Sequence, residues 1–328
     1  MLALLLLCTA IWGVFALYYF DHESESLRSG LAMGFGLASV SALAGFALPQ
    51  WRWRTFAAYL ALFALLLWRW EAIEPSNGRD WRPEGARIPH ATIAGDLVTV
   101  HDIRNFDYRT ETDFTPAYYD RTFDLRRLDA VDLVAVYWMG PAIAHVFVSF
   151  GFADGNHLAV SIEARKERTE GYSTLKGFFR QYELQYVAAD ERDVIRLRTN
   201  YRRDPPEEVH VYRVRGAKEN ARRLFLEYVA EMNRLKDRPE FYNSLTTNCT
   251  STIWLNARVN PGHVPYSWKI LASGFVPEYL YDEGRLDTSL TFAELQRRSI
   301  VNERAQAADK APDFSRRIRA SAATSLNQ

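Results

Sequence analysis

The chain has few of the residues and patterns that mark common chemical sites. Its 328 residues include two cysteines, Cys8 and Cys249. Because Cys8 lies in an apolar run far from Cys249, a disulfide between them is not expected. Basic and acidic residues each number 40, so net charge gives no indication of a nucleic-acid partner. The sequence has no HExxH or CxxC spacing, Gly-rich phosphate loop or GxSxG elbow, and no cofactor or metal is predicted.

What the chain does have is a strongly apolar N-terminal region with a Trp-rich flank. A bilayer span needs about 20 mainly apolar residues. The composition predicts spans at about residues 2–20, 31–48 and 53–70, within a transmembrane region of residues 1–73. Two alternatives stay open. Residues 1–20 could be a signal peptide, although no basic segment precedes them, and all three runs could be buried helices of a soluble fold.

Charge in the connectors indicates the orientation of these spans. Residues 21–28 are mostly acidic, whereas Arg52 and Arg54 make the second connector basic. The positive-inside rule places the two arginines in the cytoplasm, although Arg69 opposes this orientation. We therefore expect a multi-pass protein of the bacterial inner membrane, with everything after about residue 73 in the periplasm.

The remainder divides into three predicted regions. Proline and glycine indicate a linker over residues 74–94, and the arginine-rich end indicates a loose, partly disordered tail over residues 291–328. Between them, residues 95–290 combine amphipathic helices with short strands, which predicts an α+β domain. The predicted helices are 217–236 and 248–259, and the predicted strands are 132–138, 142–152, 157–165, 193–199 and 208–214. Arginines of the strand candidate near 192–203 are expected on a solvated surface, or against lipid head groups.

Cys249 is either inert packing or a nucleophile. Asn248 is a favoured N-cap residue, so Cys249 falls in the first turn of the predicted helix. The free N–H groups and the helix dipole there favour the reactive thiolate. A nucleophilic cysteine also needs a base, usually histidine, oriented by a third polar group.

His145 is the candidate base among seven histidines, because it lies within a predicted apolar strand. A satisfied core histidine is the alternative. Zinc held by His145, His157, Glu163 and Cys249 is disfavoured, since their spacing matches no ligand motif. Glu163 faces His145 only if the turn between the two strands has an odd number of residues, such as 153–155. Otherwise it is a solvated carboxylate paired with Arg165. Supporting or substrate-binding roles are expected for Ser149, Ser161, Arg165, Tyr242, Asn248 and Thr250.

Three sequence blocks carry a family resemblance: AIAHVFVSFGFADGNHLAVSIEARKE, GFFRQYELQYVAADERDVIRLRTNYR and FYNSLTTNCTSTI. They resemble the periplasmic domain at the N-terminus of Lnb-type lipoprotein N-acyltransferases, over roughly residues 95–290. The resemblance implies a circularly permuted papain-like, NlpC-type fold, in which an antiparallel sheet packs with a helix that bears the cysteine. It implies His145 and Cys249 as the catalytic pair, and it matches Glu163 less securely. In that family the domain precedes the membrane segments, whereas here the predicted spans precede it.

Together these patterns predict a membrane-anchored periplasmic acyltransferase or hydrolase. Cys249 would attack an acyl carbonyl, His145 would act as base and then acid, and Glu163 would orient His145. The expected partners are the bilayer and a membrane lipid or lipoprotein substrate, with no nucleic acid. A cell-wall amidase or thiol peptidase using the same pair, and a non-catalytic membrane-anchored binding module, are the alternatives.

Overall fold

The computed structural model describes residues 2–20 and 24–320. Residues 21–23 of the first connector and residues 321–328 of the predicted tail lie outside the described residues. The chain divides into two compact units, which are described separately. The first comprises Met1–Gly78, Gly171–Glu183 and Glu240–Ser244, and the second comprises Arg79–Glu170, Leu184–Pro239 and Leu245–Gln328.

Three helices form most of the first unit: α1 (Leu2–Tyr18), α2 (Glu25–Ala47) and α3 (Arg52–Glu71). Apolar side chains from all three meet in one cluster that includes Leu6, Phe35 and Leu66. The later segment Gly171–Glu183 belongs to this unit because Phe179 packs with α1 and α3. The aromatic contacts at this point therefore join segments that lie far apart in the sequence.

One of the three helices meets the length and composition of a membrane span. Among the described residues, α2 is the helix that is both long and apolar enough to cross a bilayer. Helix α1 is apolar but has 17 residues, and α3 carries charged residues at both ends. The prediction of three spans stays a prediction, whereas a single N-terminal apolar helix agrees with membrane anchoring.

A mostly antiparallel sheet forms the centre of the second unit. The strands are β1 (His90–Ala94), β2 (Leu97–Arg104), β3 (Asp107–Tyr108), β4 (Phe114–Thr115), β5 (Tyr118–Asp124), β6 (Leu128–Tyr137), β7 (Ala144–Phe152), β8 (His157–Arg165), β9 (Glu183–Ala189) and β10 (Glu208–Arg213). The main path of the sheet runs β1-β2-β9-β8-β7-β6-β10, with β5 paired to β2, and β3 and β4 form a separate small ladder. One parallel contact, between Arg104 and Ala189, joins β2 to β9.

Helices cover both faces of this sheet. They are α4 (Glu191–Arg196), α5 (Lys218–Asp237), α6 (Cys249–Ala257), α7 (Trp268–Leu271), α8 (Val276–Asp282), α9 (Phe292–Ser299), α10 (Asn302–Ala307) and α11 (Phe314–Arg317). Successive side chains of a strand point to opposite faces. Phe147 of β7 accordingly joins one apolar cluster with residues of α4, α10 and α11. Val146 joins another, on the opposite face, with residues of α6 and α8.

The structure corrects three of the sequence predictions. The strand expected over 193–199 is α4 followed by a π-helical turn, Leu197–Tyr201. Asp190 caps α4 by accepting from the Arg192 N–H, and the apolar residues that follow have helical spacing. The predicted linker 74–94 already contains β1 of the sheet. The predicted loose tail instead forms α9 to α11, because its few apolar side chains are buried in the core.

A buried ion cluster holds the end of this segment against the sheet. Arg319 donates to Glu191 at 2.6 Å and to Asp132 at 2.9 Å, and both carboxylates are buried. Ser149 of β7 also donates to Glu191, at 2.6 Å. Burial opposes ionisation of Glu191, but the adjacent Arg319 outweighs it and lowers the pKa of Glu191 to about 2. The segment that was expected to be loose thus completes a charge pair inside the domain.

We predict that Arg319→Ala destabilises the domain by roughly 3 kcal/mol, because it leaves the Glu191 charge buried without its partner. Thermal unfolding of the full chain in detergent, followed by tryptophan fluorescence, measures this loss. Arg316→Ala is the matched control, since Arg316 is 83% exposed and its ion pair within the described residues is with Asp313 of its own turn. The loss should shrink as the pH falls toward the Glu191 pKa of about 2. Equal unfolding temperatures for the two variants would contradict the prediction.

Candidate functional site

The hairpin of β7 and β8 brings the predicted histidine and carboxylate together. Pairing runs from Val148 opposite Val160 to Gly151 opposite His157. The Phe152 N–H donates to the Asn156 carbonyl at 2.9 Å, which closes a loop at 153–155. The structure therefore has the three-residue loop that was the condition for Glu163 to face His145. The same register, extended along both strands, places Glu163 opposite His145.

A serine lies between these two side chains. His145 Nε2 is 2.8 Å from Ser161 Oγ, and Ser161 Oγ donates to Glu163 Oε1 at 2.9 Å. The direct distance between His145 Nε2 and Glu163 Oε1 is longer, at 3.7 Å. Glu163 thus acts on the imidazole mainly through the Ser161 hydroxyl.

This chain of contacts selects one tautomer of His145. Because the Ser161 hydroxyl gives its proton to Glu163, its oxygen accepts from the protonated Nε2 of His145. A neutral imidazole protonated at Nε2 has its lone pair at Nδ1. The nitrogen able to take a proton is therefore Nδ1.

Positive charge surrounds the Glu163 carboxylate. Arg198 Nη2 lies 3.6 Å from Glu163 Oε1, and the Arg198 side chain is only 8% exposed. The pKa of His145 is lowered to about 3, mainly by burial and secondly by repulsion from Arg198. The negative charge of Glu163 acts in the opposite direction but does not outweigh them. For Glu163 burial opposes ionisation, but His145, Arg198 and Arg104 outweigh it and lower the pKa to about 2. At neutral pH the site therefore holds an ionised Glu163 and a neutral His145.

Cys249 occupies the first turn of α6, as predicted from Asn248. The Asn248 side chain accepts from the Ser251 N–H at 2.9 Å, and Ser251 Oγ accepts from the Asn248 N–H at 3.0 Å. This reciprocal capping box fixes the start of the helix. The half-buried thiol is close enough to the N–H of Val146, which follows His145 in β7, for that N–H to lower its pKa.

The strand geometry explains how the thiol reaches this position. The ladder between β7 and β8 ends at Val148, although both strands continue past it. The N–H of Val146 is then available to the Cys249 sulphur, on the open side of β7. The N–H groups of Cys249 and Thr250 also point at the sulphur. Cys249 consequently lies beside the backbone that carries His145.

The protonation state of Cys249 differs from the expectation. Burial raises the pKa of the thiol, and the negative charge of Glu163 adds to this effect. The three N–H groups act in the opposite direction but do not outweigh burial. A helix start alone was expected to favour the thiolate, yet the resting form is the neutral thiol.

An apolar cavity adjoins the Cys249 helix. It has a volume of about 200 Å³ and is lined by Val146, Thr250, Ile253, Trp254 and Ala257, among other residues. Two of these residues neighbour the thiol: the Val146 N–H acts on the Cys249 sulphur, and Thr250 directly follows Cys249. Cys249 itself does not line the cavity, which lies on the α6 face of the sheet.

Other residues predicted to support the site have structural partners. Ser149 belongs to the Arg319 cluster described above. Arg165 donates to the Gly85 carbonyl at 2.8 Å and stacks 4.1 Å from the Trp81 ring. Thr250 Oγ1 donates to the Ile270 carbonyl at 2.5 Å. Tyr242 belongs to the first unit, where its N–H donates to the Tyr182 carbonyl at 2.9 Å.

Two features of the site were not predicted from the sequence: the place of Ser161 between His145 and Glu163, and the burial of Arg198. Ser161 was expected to support the site, but its position between the two side chains depends on side-chain rotamers. Arg198 was placed on a solvated surface because its segment was interpreted as a strand. The helix-capping Asp190 and the spacing of Val194, Ile195 and Leu197 were the available signals for a helix that carries Arg198 inward.

The fold and the site define a mixed α/β domain that carries a helix-start thiol beside a histidine, serine and glutamate line. Residues 114–274 match the family model described as the Lnb N-terminal periplasmic domain. This segment, which contains His145, Glu163 and Cys249, belongs to that family, as the sequence blocks predicted. Comparisons with curated proteins and with solved structures give no match. The family and the apolar helix α2 together indicate a membrane-anchored protein with a periplasmic domain.

We predict that alkylation of Cys249 by iodoacetamide rises with pH, with a midpoint above that of an ordinary thiol, because burial raises the Cys249 pKa. The low pKa of His145, about 3, should prevent a thiolate–imidazolium pair at mildly acidic pH. Mass spectrometry of the Cys8→Ser protein measures the rate at Cys249 alone. The same protein unfolded in urea is the control and should show an ordinary thiol midpoint. A reactive plateau on the acid side would contradict the prediction.

Proposed function

We propose that this protein is a periplasmic thiol acyltransferase or acyl hydrolase, anchored in the bacterial inner membrane and acting on acyl groups of a lipid or lipoprotein. The observation that carries the proposal is the placement of the Cys249 thiol beside Val146, next to a histidine held by Ser161 and Glu163. The family match supports a lipoprotein-modifying role. The order of His145 before Cys249 fits the permuted papain-like fold that the resemblance implies.

The charges and hydrogen bonds support a general-base mechanism. As Cys249 Sγ attacks the acyl carbonyl carbon, its proton passes to Nδ1 of His145. The tetrahedral intermediate then collapses, His145 returns the proton to the departing oxygen or nitrogen, and a thioester remains on Cys249. An amine or water attacks the thioester in the same way and restores the thiol. The imidazolium formed in each step is stabilised by Glu163 through Ser161, and N–H groups at the start of α6 are the candidate oxyanion donors.

The apolar cavity favours an acyl substrate over a peptide. An apolar cavity of about 150 Å³ accepts a molecule such as benzene, so about 200 Å³ fits the first several carbons of a chain. The walls beside Cys249 are mainly aliphatic and aromatic side chains, including Val146, Ile253 and Trp254. In this proposal the chain extends from the cavity past Val146 and Thr250, so that its carbonyl end reaches Cys249. Helix α2 supports the same choice, since a membrane anchor gives the protein access to lipid-linked acyl groups.

We predict that a lipid acyl group can be trapped on Cys249 as a thioester. Incubation of the full chain with diacylated lipoprotein or phospholipid, followed by acid quench and mass spectrometry, should reveal an acyl mass on the Cys249 peptide that hydroxylamine removes. Cys249→Ala should abolish the adduct and the turnover, whereas Cys8→Ser should leave both unchanged. Full turnover by Cys249→Ala would contradict the proposal. Cleavage of cell-wall material without any acyl adduct would instead favour a thiol amidase.

We predict that filling the cavity selectively impairs long-chain substrates. Ala257→Trp on the cavity wall should lower turnover of a long-chain acyl donor by about tenfold or more, because the chain loses its apolar contacts. Alkylation of Cys249 by iodoacetamide should stay unchanged, since that reagent does not need the cavity. Leu255→Trp is the matched control, because Leu255 lies on the same helix but is 41% exposed. Equal losses with short and long acyl donors would show that the cavity does not bind the chain.

A further inference from the structure

Arg198 is buried at the junction of two carboxylates. Its guanidinium lies 3.6 Å from Glu163 and 3.5 Å from Glu207, and it sits over the Phe147 ring at 5.8 Å. Glu207 is shared with Arg202, which also pairs with Glu111. A buried cation costs free energy unless it is paired, and this one is paired with the carboxylate that serves His145.

The backbone that carries Arg198 is unusual. Residues Leu197–Tyr201 form a π-helical turn directly after α4, and π-helical turns are rare and frequent at functional sites. The turn points Arg198 at the same sheet face as Glu163 and Phe147, opposite the α6 face. The geometry of the turn therefore decides whether the guanidinium reaches Glu163.

Residues of the C-terminal segment hold this turn from outside. Asn200 Nδ2 donates to Asp309 Oδ1 at 2.6 Å, and Gln306 Nε2 donates to the Thr199 carbonyl at 2.9 Å. Arg196 donates to the Asp309 carbonyl at 3.2 Å. The side chains of Asn200 and Thr199 are themselves buried. These bonds tie the turn to a segment more than a hundred residues away in the sequence.

We infer that Arg198 is a positioning residue of the site and that Asp309 and Gln306 hold the π-helical turn which presents it. Arg198 fixes the Glu163 carboxylate next to Ser161, and this fixes the tautomer of His145. This inference rests on the proposed function for its catalytic meaning, although the positioning itself requires no reaction.

Arg198 also contributes to the charge state of the site, alongside burial. The charged groups around His145 are Glu163 on β8, Arg198 on the π-helical turn and Arg202 directly after it. Arg104 on β2 acts on Glu163, and Glu111 and Glu207 pair with Arg202. The Cys249 thiol lies on α6. Burial is the main reason that His145 is neutral, and Arg198 adds the largest repulsion from a neighbouring charge. Without Arg198, the attraction between Glu163 and a protonated His145 would be less opposed, and His145 would take up a proton at a higher pH than in the parent protein.

The test is the titration of His145, observed by NMR of the full chain in detergent with ¹³C-labelled histidine side chains. His145→Gln assigns the signal. Arg198→Gln should raise the His145 midpoint by about one pH unit or more, because a close cation of the same sign is removed. Arg202→Gln should raise it less, since Arg202 pairs with other carboxylates. Arg198→Lys should restore a midpoint closer to the parent.

A second variant separates positioning from charge. Asp309→Ala leaves Arg198 in the chain but removes the acceptor that holds Asn200. Loss of a negative charge alone would lower the His145 midpoint, whereas release of Arg198 from Glu163 would raise it. A rise therefore supports the inference. A fall in Asp309→Ala, or an unchanged midpoint in a folded Arg198→Gln protein, overturns it. These titrations need no substrate, so failure to trap an acyl group on Cys249 would leave their outcome intact.

Discussion

The early end of the ladder between β7 and β8 is the constraint on which the site depends. If the two strands stayed paired beyond Val148, the Val146 N–H would bond to β8 and the Cys249 sulphur would lose its place beside the sheet. Because the pairing stops at Val148, the Cys249 thiol at the start of α6 can lie beside the N–H of Val146, the residue that follows His145. The same register still aligns Glu163 with His145, so one hairpin provides both the opening and the partner.

The two faces of the sheet have different physical roles. Arg198, Glu163 and His145 belong to the face that carries Phe147, where buried charges compensate one another. The cavity belongs to the face that carries Val146, where many of the walls are aliphatic or aromatic. The thiol lies at the boundary between the two faces. Under the proposed function, apolar contacts on one face would hold the acyl chain while proton transfer uses charges on the other.

Much of this arrangement follows from local sequence patterns, and the remainder depends on distant contacts. The strands β7, β8 and β10, the helix α5 and the cap of α6 were predictable because alternation, helical spacing and Asn248 act over a few residues. The odd turn at 153–155, which the alignment of Glu163 required, could be stated only as a condition. The helix α4 was predicted to be a strand, and its arginines were therefore expected on a solvated surface. Their burial depends on Asp309 and Glu207, which no local pattern connects to them. The helical segment around Phe314 was not predicted because it has few apolar residues. These few are enough to hold the segment in place, since they are buried in a core that the sheet and α4 form.

The position of Arg319 near the end of the described chain has a consequence for biosynthesis. A nascent chain that has emerged only as far as α6 already contains Cys249, His145 and Glu163, but Glu191 and Asp132 have no arginine from the end of the chain, and the turn of Arg198 has no Asp309. Domains fold as units once their core is complete. The thiol would therefore acquire its final surroundings only after the segment that carries Asp309 and Arg319 has been synthesised.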